Sequence, residues 1–149
     1  MKGFPDLPPL WLLAFMAAAW ALARYAPDPQ MPLGLIKGGG IASAAVGLAL
    51  IFWSAFWFWR KRTTIEPHHT PGALIVEGPY RLSRNPIYLG MVMILWGYIC
   101  WLAFLPSLLL APLYILILSR RFAIPEERAL VEAFGEEGRA YLAATRRWI

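Results

Sequence analysis

Two short polar segments hold the residue types that could do chemistry in an otherwise apolar chain. The first reads GPYRLSRNPIYLG over 78–90, and the second is the acidic pair Glu126 and Glu127, which follows Pro125. Two carboxylates close to an apolar run suit a cationic ligand, such as a sulfonium or an ammonium group. Both segments also have a structural interpretation: Asn85-Pro86 is typical of a helix start, and acids after a proline complement the helix dipole. For 78–90, residue types alone favour the structural interpretation.

The composition indicates that a membrane surrounds these segments. Of the 149 residues, 59% are hydrophobic and 15% are charged, and the mean hydropathy is +0.52, whereas soluble domains usually carry about 25% charged residues. The net charge of +5 comes from basic residues between apolar runs, which indicates membrane orientation and argues against a nucleic-acid partner. A single cysteine and an isolated His68-His69 pair predict neither a disulfide nor a metal site.

Uncharged runs predict an all-α, polytopic fold in one domain, with about four transmembrane helices, a C-terminal helical hairpin and an amphipathic tail helix. The last uncharged run, 85–119, has 35 residues. As one helix it would rise about 52 Å, well beyond the roughly 30 Å of hydrocarbon, so we expect it to turn at Leu105-Pro106-Ser107. The spans, the polar loop and the tail are predicted at 7–25, 38–59, 60–85 (loop), 86–104, 107–121 and 122–149 (tail).

The distribution of basic residues predicts the orientation. With the N-terminus inside, the inner segments hold eight Lys and Arg before the tail and four within it, whereas the outer loops hold only Arg24 and Lys37. Such a bias is typical of cytoplasmic loops. We therefore expect an integral protein of a bacterial inner membrane, with both termini in the cytoplasm.

The predicted hairpin should bring the two polar segments together. Segment 78–90 precedes the hairpin and Glu126 follows it, and an antiparallel pair of helices returns both ends to one side of the membrane. On the cytosolic side, soluble cofactors are available to both segments. This spatial expectation strengthens the functional interpretation.

The order of the motifs resembles that of a known group of membrane enzymes. The motifs are Leu74-Ile75, Gly78, Tyr80-Arg81, Arg84-Asn85-Pro86, Tyr88 and Gly90, an apolar hairpin, Glu126-Glu127, Phe134-Gly135-Glu136-Glu137, and a closing Tyr141. This order is similar to that of the isoprenylcysteine carboxyl methyltransferase and phospholipid methyltransferase group. The resemblance covers about 65–149, and the first two spans match only generically.

The resemblance implies S-adenosylmethionine as the cofactor, with Glu126 holding its polar end. It implies that Arg121 and Glu127 are the catalytic candidates. Arg121 is considered because prenylcysteine enzymes place an arginine one turn before the cofactor glutamate, where this chain has Phe122. The other cofactor contacts that the resemblance implies are Ala73, Leu74, Ile75, Tyr80, Asn85, Pro86, Tyr88 and His68.

The function expected from the resemblance is methyl transfer to an amphipathic acceptor with a carboxylate or amine head group. The acceptor would be a lipid-like or prenylated small molecule, reached among membrane lipids, although Phe122 argues against a prenylcysteine substrate. Two alternatives stay open. One is a non-enzymatic membrane scaffold whose motifs are only caps and anchors, and the other is an NADPH-dependent membrane reductase with a similar C-terminal core. The sequence defines neither the acceptor nor the oligomeric state.

Overall fold

The structure, a computed structural model, describes residues 6–25, 33–62 and 72–149, and it is all-helical, with no β-strand among these residues. The all-α prediction is therefore confirmed. Two short 3₁₀ turns and one π turn connect the helices, at Gly78–Arg81, Leu105–Leu109 and Ser119–Ala123. The helices are α1 Pro8–Tyr25, α2 Leu33–Lys61, α3 Pro86–Leu102, α4 Leu110–Leu118 and α5 Ile124–Ala144.

Two helical stretches of the described chain are long and apolar enough to cross a membrane, namely Ile36–Lys61 and the continuous run Leu105–Ala144. α3 is a shorter apolar helix of 17 residues. Large apolar side chains of α2 point outward, for example Phe52 at 67% and Trp59 at 75% exposure. The core helix of a soluble protein would bury such side chains, so their exposure is that of a lipid-facing helix. Two of the four expected spans meet this criterion, and the four-span arrangement stays a prediction.

Local sequence explains where the hairpin begins and reverses. Pro86 opens α3, since a proline at the first helical position loses no hydrogen bond. α3 ends at Leu102, and Ala103 then adopts a φ of +53°. The connection to α4 thus spans 103–109, and Leu105-Pro106-Ser107 opens its 3₁₀ turn. Contacts of Tyr114 with Met91 and of Phe122 with Tyr88 show the hairpin, and the predicted turn at 105–107 lies within the observed connection.

The chain divides into two compact units, Met1–Leu48 with Gly90–Leu116, and Ala49–Leu89 with Ile117–Ile149. In the first unit, Tyr114 of α4 is fully buried. Its hydroxyl donates to the carbonyl of Pro8 at 3.2 Å, and its ring lies 5.2 Å from that of Phe15. The same hydroxyl lies 3.7 Å from the sulfur of Met91, so one tyrosine joins α1, α3 and α4.

Small residues let α2 and α3 approach closely within the first unit. A Cβ at Gly40 would lie 2.7 Å from the Cβ of Cys100, and Ser43 donates a hydrogen bond to the carbonyl of Met93 at 3.1 Å. Gly38 and Gly39 face open space. Of the three consecutive glycines 38–40, only Gly40 lies against α3.

In the second unit, the loop before α3 packs against the end of α2. Gly78 has a φ of +58°, and a Cβ there would overlap the indole ring of Trp57, so glycine is required for both conformation and space. Lys61 donates to the Glu77 carboxylate at 2.6 Å. These contacts hold residues 77–85 in place and so define where α3 starts.

Candidate functional site

The start of α3 is held by polar contacts on both sides of Asn85. Its carbonyl accepts the first helical hydrogen bond, from Leu89 at 2.9 Å, and its N–H donates to the Ser83 hydroxyl at 3.1 Å. Its side-chain amide donates to the carbonyl of Arg147 at 3.2 Å. Asn85 and Pro86 are both buried, so polar contacts and packing together hold this segment in place.

Tyr88 and Glu126 meet directly. The Tyr88 hydroxyl donates to Oε1 of Glu126, and the Tyr88 ring lies 6.2 Å from that of Phe122. Tyr88 itself is 8% exposed. The expectation that the hairpin brings the two polar segments together is therefore confirmed within the second unit.

A π turn directly before α5 determines the position of Glu126. The N–H of Ile124 bonds to the carbonyl of Ser119, five residues back, instead of four. Pro125 explains the wider turn. It has no N–H to donate to the carbonyl of Arg121, and in a regular α-helix its ring would clash with that carbonyl. Glu126 and Glu127 then occupy the first turn of α5.

Glu127 is 8% exposed and is paired with two arginines. Arg147 binds both of its carboxylate oxygens, at 2.8 and 2.7 Å, and Nε of Arg84 lies 3.6 Å from Oε1. The bidentate geometry is that of a strong, oriented ion pair. The Glu127 carboxylate is thus directed at basic side chains of its own unit.

Tyr80 belongs to a small buried apolar cluster of the same unit. It packs with Ile75 and Tyr141, and its carbonyl accepts a hydrogen bond from the Tyr141 hydroxyl at 2.9 Å. Burial raises the pKa of Tyr80, and electrostatic interactions with Tyr141 and Glu126 raise it further, although a hydrogen bond with Ser54 opposes them. Tyr80 is therefore a neutral phenol, and it lies close enough to Glu126 for the two groups to interact electrostatically.

The remaining predicted site residues divide into three groups. Ala73 and Leu74 lie in the irregular segment before Ile75, and Leu74 packs against the apolar cluster. Arg121 is exposed within the π turn. His68 lies outside the described residues.

A model of the phospholipid methyltransferase family matches residues 36–137, more than half of the chain. The chain belongs to the phospholipid methyltransferase family. The match begins within α2, upstream of the motifs that suggested the resemblance. Comparisons with curated proteins and with solved structures gave no match.

Phospholipid methyltransferases generally use S-adenosylmethionine, and the residues present here fit such a cofactor. Among the described residues, the Glu126 carboxyl is partnered by a hydroxyl and not by a basic side chain. Burial raises the pKa of Glu126 to about 7, although the hydrogen bond from Tyr88 opposes this shift, and a cationic group bound beside it would stabilise the charged form. The backbone of Ala73, Leu74 and Ile75 makes no backbone–backbone hydrogen bond with another described residue.

Sequence reasoning did not assign Arg147 or Ser83 to the candidate site. Arg147 belongs to the segment Arg146-Arg147-Trp148, whose basic and aromatic residues resemble a membrane-interface anchor. Its pairing with Glu127 spans 20 residues of chain, and local spacing carries no signal for such a contact. The π turn could have been anticipated from Pro125, which follows an otherwise continuous apolar helix.

Proposed function

We propose that this protein transfers a methyl group from S-adenosylmethionine to an amphipathic, lipid-like acceptor with a carboxylate or amine head group, at the cytosolic face of the membrane. The observation that supports this most is the contact between Tyr88 and Glu126. It brings the start of α3 and the first turn of α5 to one place, and these segments carry the two motifs on which the resemblance rests.

The chain's own contribution is binding, orientation and exclusion of water. The cofactor supplies an electrophilic methyl group on a sulfonium, and its transfer leaves a neutral thioether. Glu126 would bind the ammonium end, and Asn85 and Pro86 would form the adjacent wall. The backbone of 73–75 would hold the opposite end. Holding donor and acceptor in line makes the step effectively unimolecular, which is the main source of rate in such a site.

The acceptor's protonation state follows from the same geometry. Of the two candidate acids, Glu127 is engaged by Arg147 and Arg84, and Glu126 is assigned to the cofactor. A carboxylate acceptor needs no base, whereas an ammonium acceptor must lose a proton before it can attack. The arrangement therefore favours an acceptor that arrives already deprotonated.

Titration calorimetry on the purified protein in detergent tests the proposal. We expect saturable S-adenosylmethionine binding by the wild type. Glu126→Gln should weaken it about 10- to 150-fold, because a hydrogen bond to a charged group is worth about 1.5–3 kcal/mol. Glu132→Gln is the matched control, since Glu132 is an exposed acid of the same helix, and it should bind like the wild type.

The same experiment separates the alternatives. NADPH replaces S-adenosylmethionine in a second titration: binding of NADPH alone would indicate a reductase, and binding of neither would indicate a scaffold. Absence of S-adenosylmethionine binding by the wild type, or full binding by Glu126→Ala, would refute the proposed function.

A further inference from the structure

The last residues of the chain are tied back to the start of α3. The N–H of Arg84 donates to the carbonyl of Arg146 at 2.9 Å. The carbonyl of Arg147 accepts two further bonds, from the Ser83 hydroxyl at 2.9 Å and from the Asn85 amide at 3.2 Å. Three consecutive residues of the loop therefore hold two consecutive residues of the C-terminal segment, 145–149.

The side chain of Arg147 makes a second attachment, to α5. Its guanidinium binds both oxygens of Glu127. The Glu127 side chain is only 10% exposed, whereas that of Arg147 is 33% exposed. A carboxylate buried to this extent needs a partner, because an unpaired charge there would carry a large desolvation cost. The attachment is therefore a specific contact and not a loose surface pair.

Two glycines allow the chain to return to this point. Gly135 adopts φ +55° and ψ −122°, a conformation that side chains disfavour, and it breaks α5 into two arms. A Cβ at Gly138 would lie 2.7 Å from the carbonyl of Leu130, so the second arm can pack against the first only with glycine there. The bend in α5 therefore depends on glycine at both positions.

Arg147 thus touches both segments that carry the proposed cofactor contacts. Its carbonyl holds Asn85, three residues before Tyr88, and its side chain holds Glu127, directly after Glu126. We propose that Arg147 is a positioning residue, which fixes the first turn of α5 against the start of α3 and thereby sets the geometry of the cofactor site. This inference rests on the proposed function. It assigns Glu127 to positioning through its ion pair with Arg147.

Binding affinity and stoichiometry together test the proposal without a known acceptor. S-adenosylmethionine is titrated into the wild type, Arg147→Met and Arg147→Lys. We expect Arg147→Met to raise Kd about tenfold or more with unchanged stoichiometry, since small misplacements of binding groups cost up to about a hundredfold. Arg147→Lys keeps the charge but not the bidentate geometry, so its Kd should lie between the two. A merely structural role would instead lower the stoichiometry and leave Kd unchanged.

Two further variants make the test independent of charge. Gly138→Ala should displace the second arm of α5 and raise Kd in the same direction, although it removes no ionic group. Arg128→Met removes an exposed arginine next to Glu127 and should leave Kd within twofold of the wild type. Equal Kd values for the wild type, Arg147→Met and Gly138→Ala would overturn the proposal, as would an equal loss in Arg128→Met.

Hydrogen exchange distinguishes failure of this inference from failure of the proposed function. In Arg147→Met, amide exchange should accelerate about tenfold or more both at 83–89 and in the first turn of α5, because Arg147 links them. If the wild type binds no S-adenosylmethionine but this coupled acceleration occurs, the proposed function fails and the link stands. If acceleration is confined to 145–149, the positioning role is refuted whatever the wild type binds.

Discussion

The packing of α2 on α3 predicts opposite effects for two adjacent glycines of one helix. At Gly40, an added Cβ would lie 2.7 Å from the Cβ of Cys100 and 2.9 Å from the carbonyl of Gly97. At Gly39, no atom lies within 4 Å. Gly40→Ala therefore perturbs the helix contact, and Gly39→Ala is its matched control.

The magnitudes follow from two opposing effects. Alanine is preferred over glycine in a helix interior by about 0.8–1 kcal/mol, and both variants gain this. In Gly40→Ala, the backbone of Gly97 cannot move aside as a flexible side chain could, and such overpacking costs about 1–3 kcal/mol. We expect Gly39→Ala to raise the free energy of unfolding by up to about 1 kcal/mol, and Gly40→Ala to lie about 1–3 kcal/mol below it.

Reversible unfolding in mixed micelles, followed by tryptophan fluorescence, measures these free energies. Gly38→Ala also faces open space and should behave like Gly39→Ala. If Gly40→Ala were as stable as Gly39→Ala, the close approach of α2 and α3 would be wrong.

Three other substitutions test separate parts of the structure. Tyr88→Phe removes the hydroxyl that donates to Glu126 and should lower the free energy of unfolding by about 1–3 kcal/mol, measured as above; an unchanged value would argue against the contact. Gly135→Ala places a side chain at φ +55° and should cost about 1–3 kcal/mol, and wild-type stability would contradict the break in α5. Glu77→Gln removes an ion pair whose two side chains are about one-third exposed, so it should cost less than about 1 kcal/mol. The lysine hydrogen bond lowers the pKa of Glu77 from 4.5. The difference between wild type and Glu77→Gln should therefore be full above about pH 4.5 and vanish as the pH falls through the lowered pKa; a pH-independent difference would contradict this.

The features that sequence predicted are those that depend on chain length and local residue preference. The 85–119 run had to fold back, because one helix of that length exceeds the hydrocarbon thickness. That single argument placed Tyr88 and Glu126 together, as the structure shows. Pro86 correctly marked the start of α3.

Contacts that arise from tertiary packing could not be predicted from chain length and local residue preference. Residue preferences correctly indicated the turn at Leu105-Pro106-Ser107, but they gave no sign that Ala103 would adopt a positive φ at the end of α3. The sharp bend of α5 at Gly135 depends on the fit of Gly138 against Leu130, which residue preferences do not reveal. The partner of Glu127 was hidden because several arginines stand at comparable distances along the chain, and only the fold selects Arg147.

The most direct test of the central claim is photo-crosslinking of radiolabelled S-adenosylmethionine to the protein, with the adduct mapped by mass spectrometry. The structure predicts that labelled peptides come from 73–88 or from the first turn of α5 around Glu126, and that excess S-adenosylhomocysteine abolishes the labelling. Labelling confined to other parts of the chain, or labelling that excess S-adenosylhomocysteine leaves unchanged, would contradict a cofactor site between these two segments.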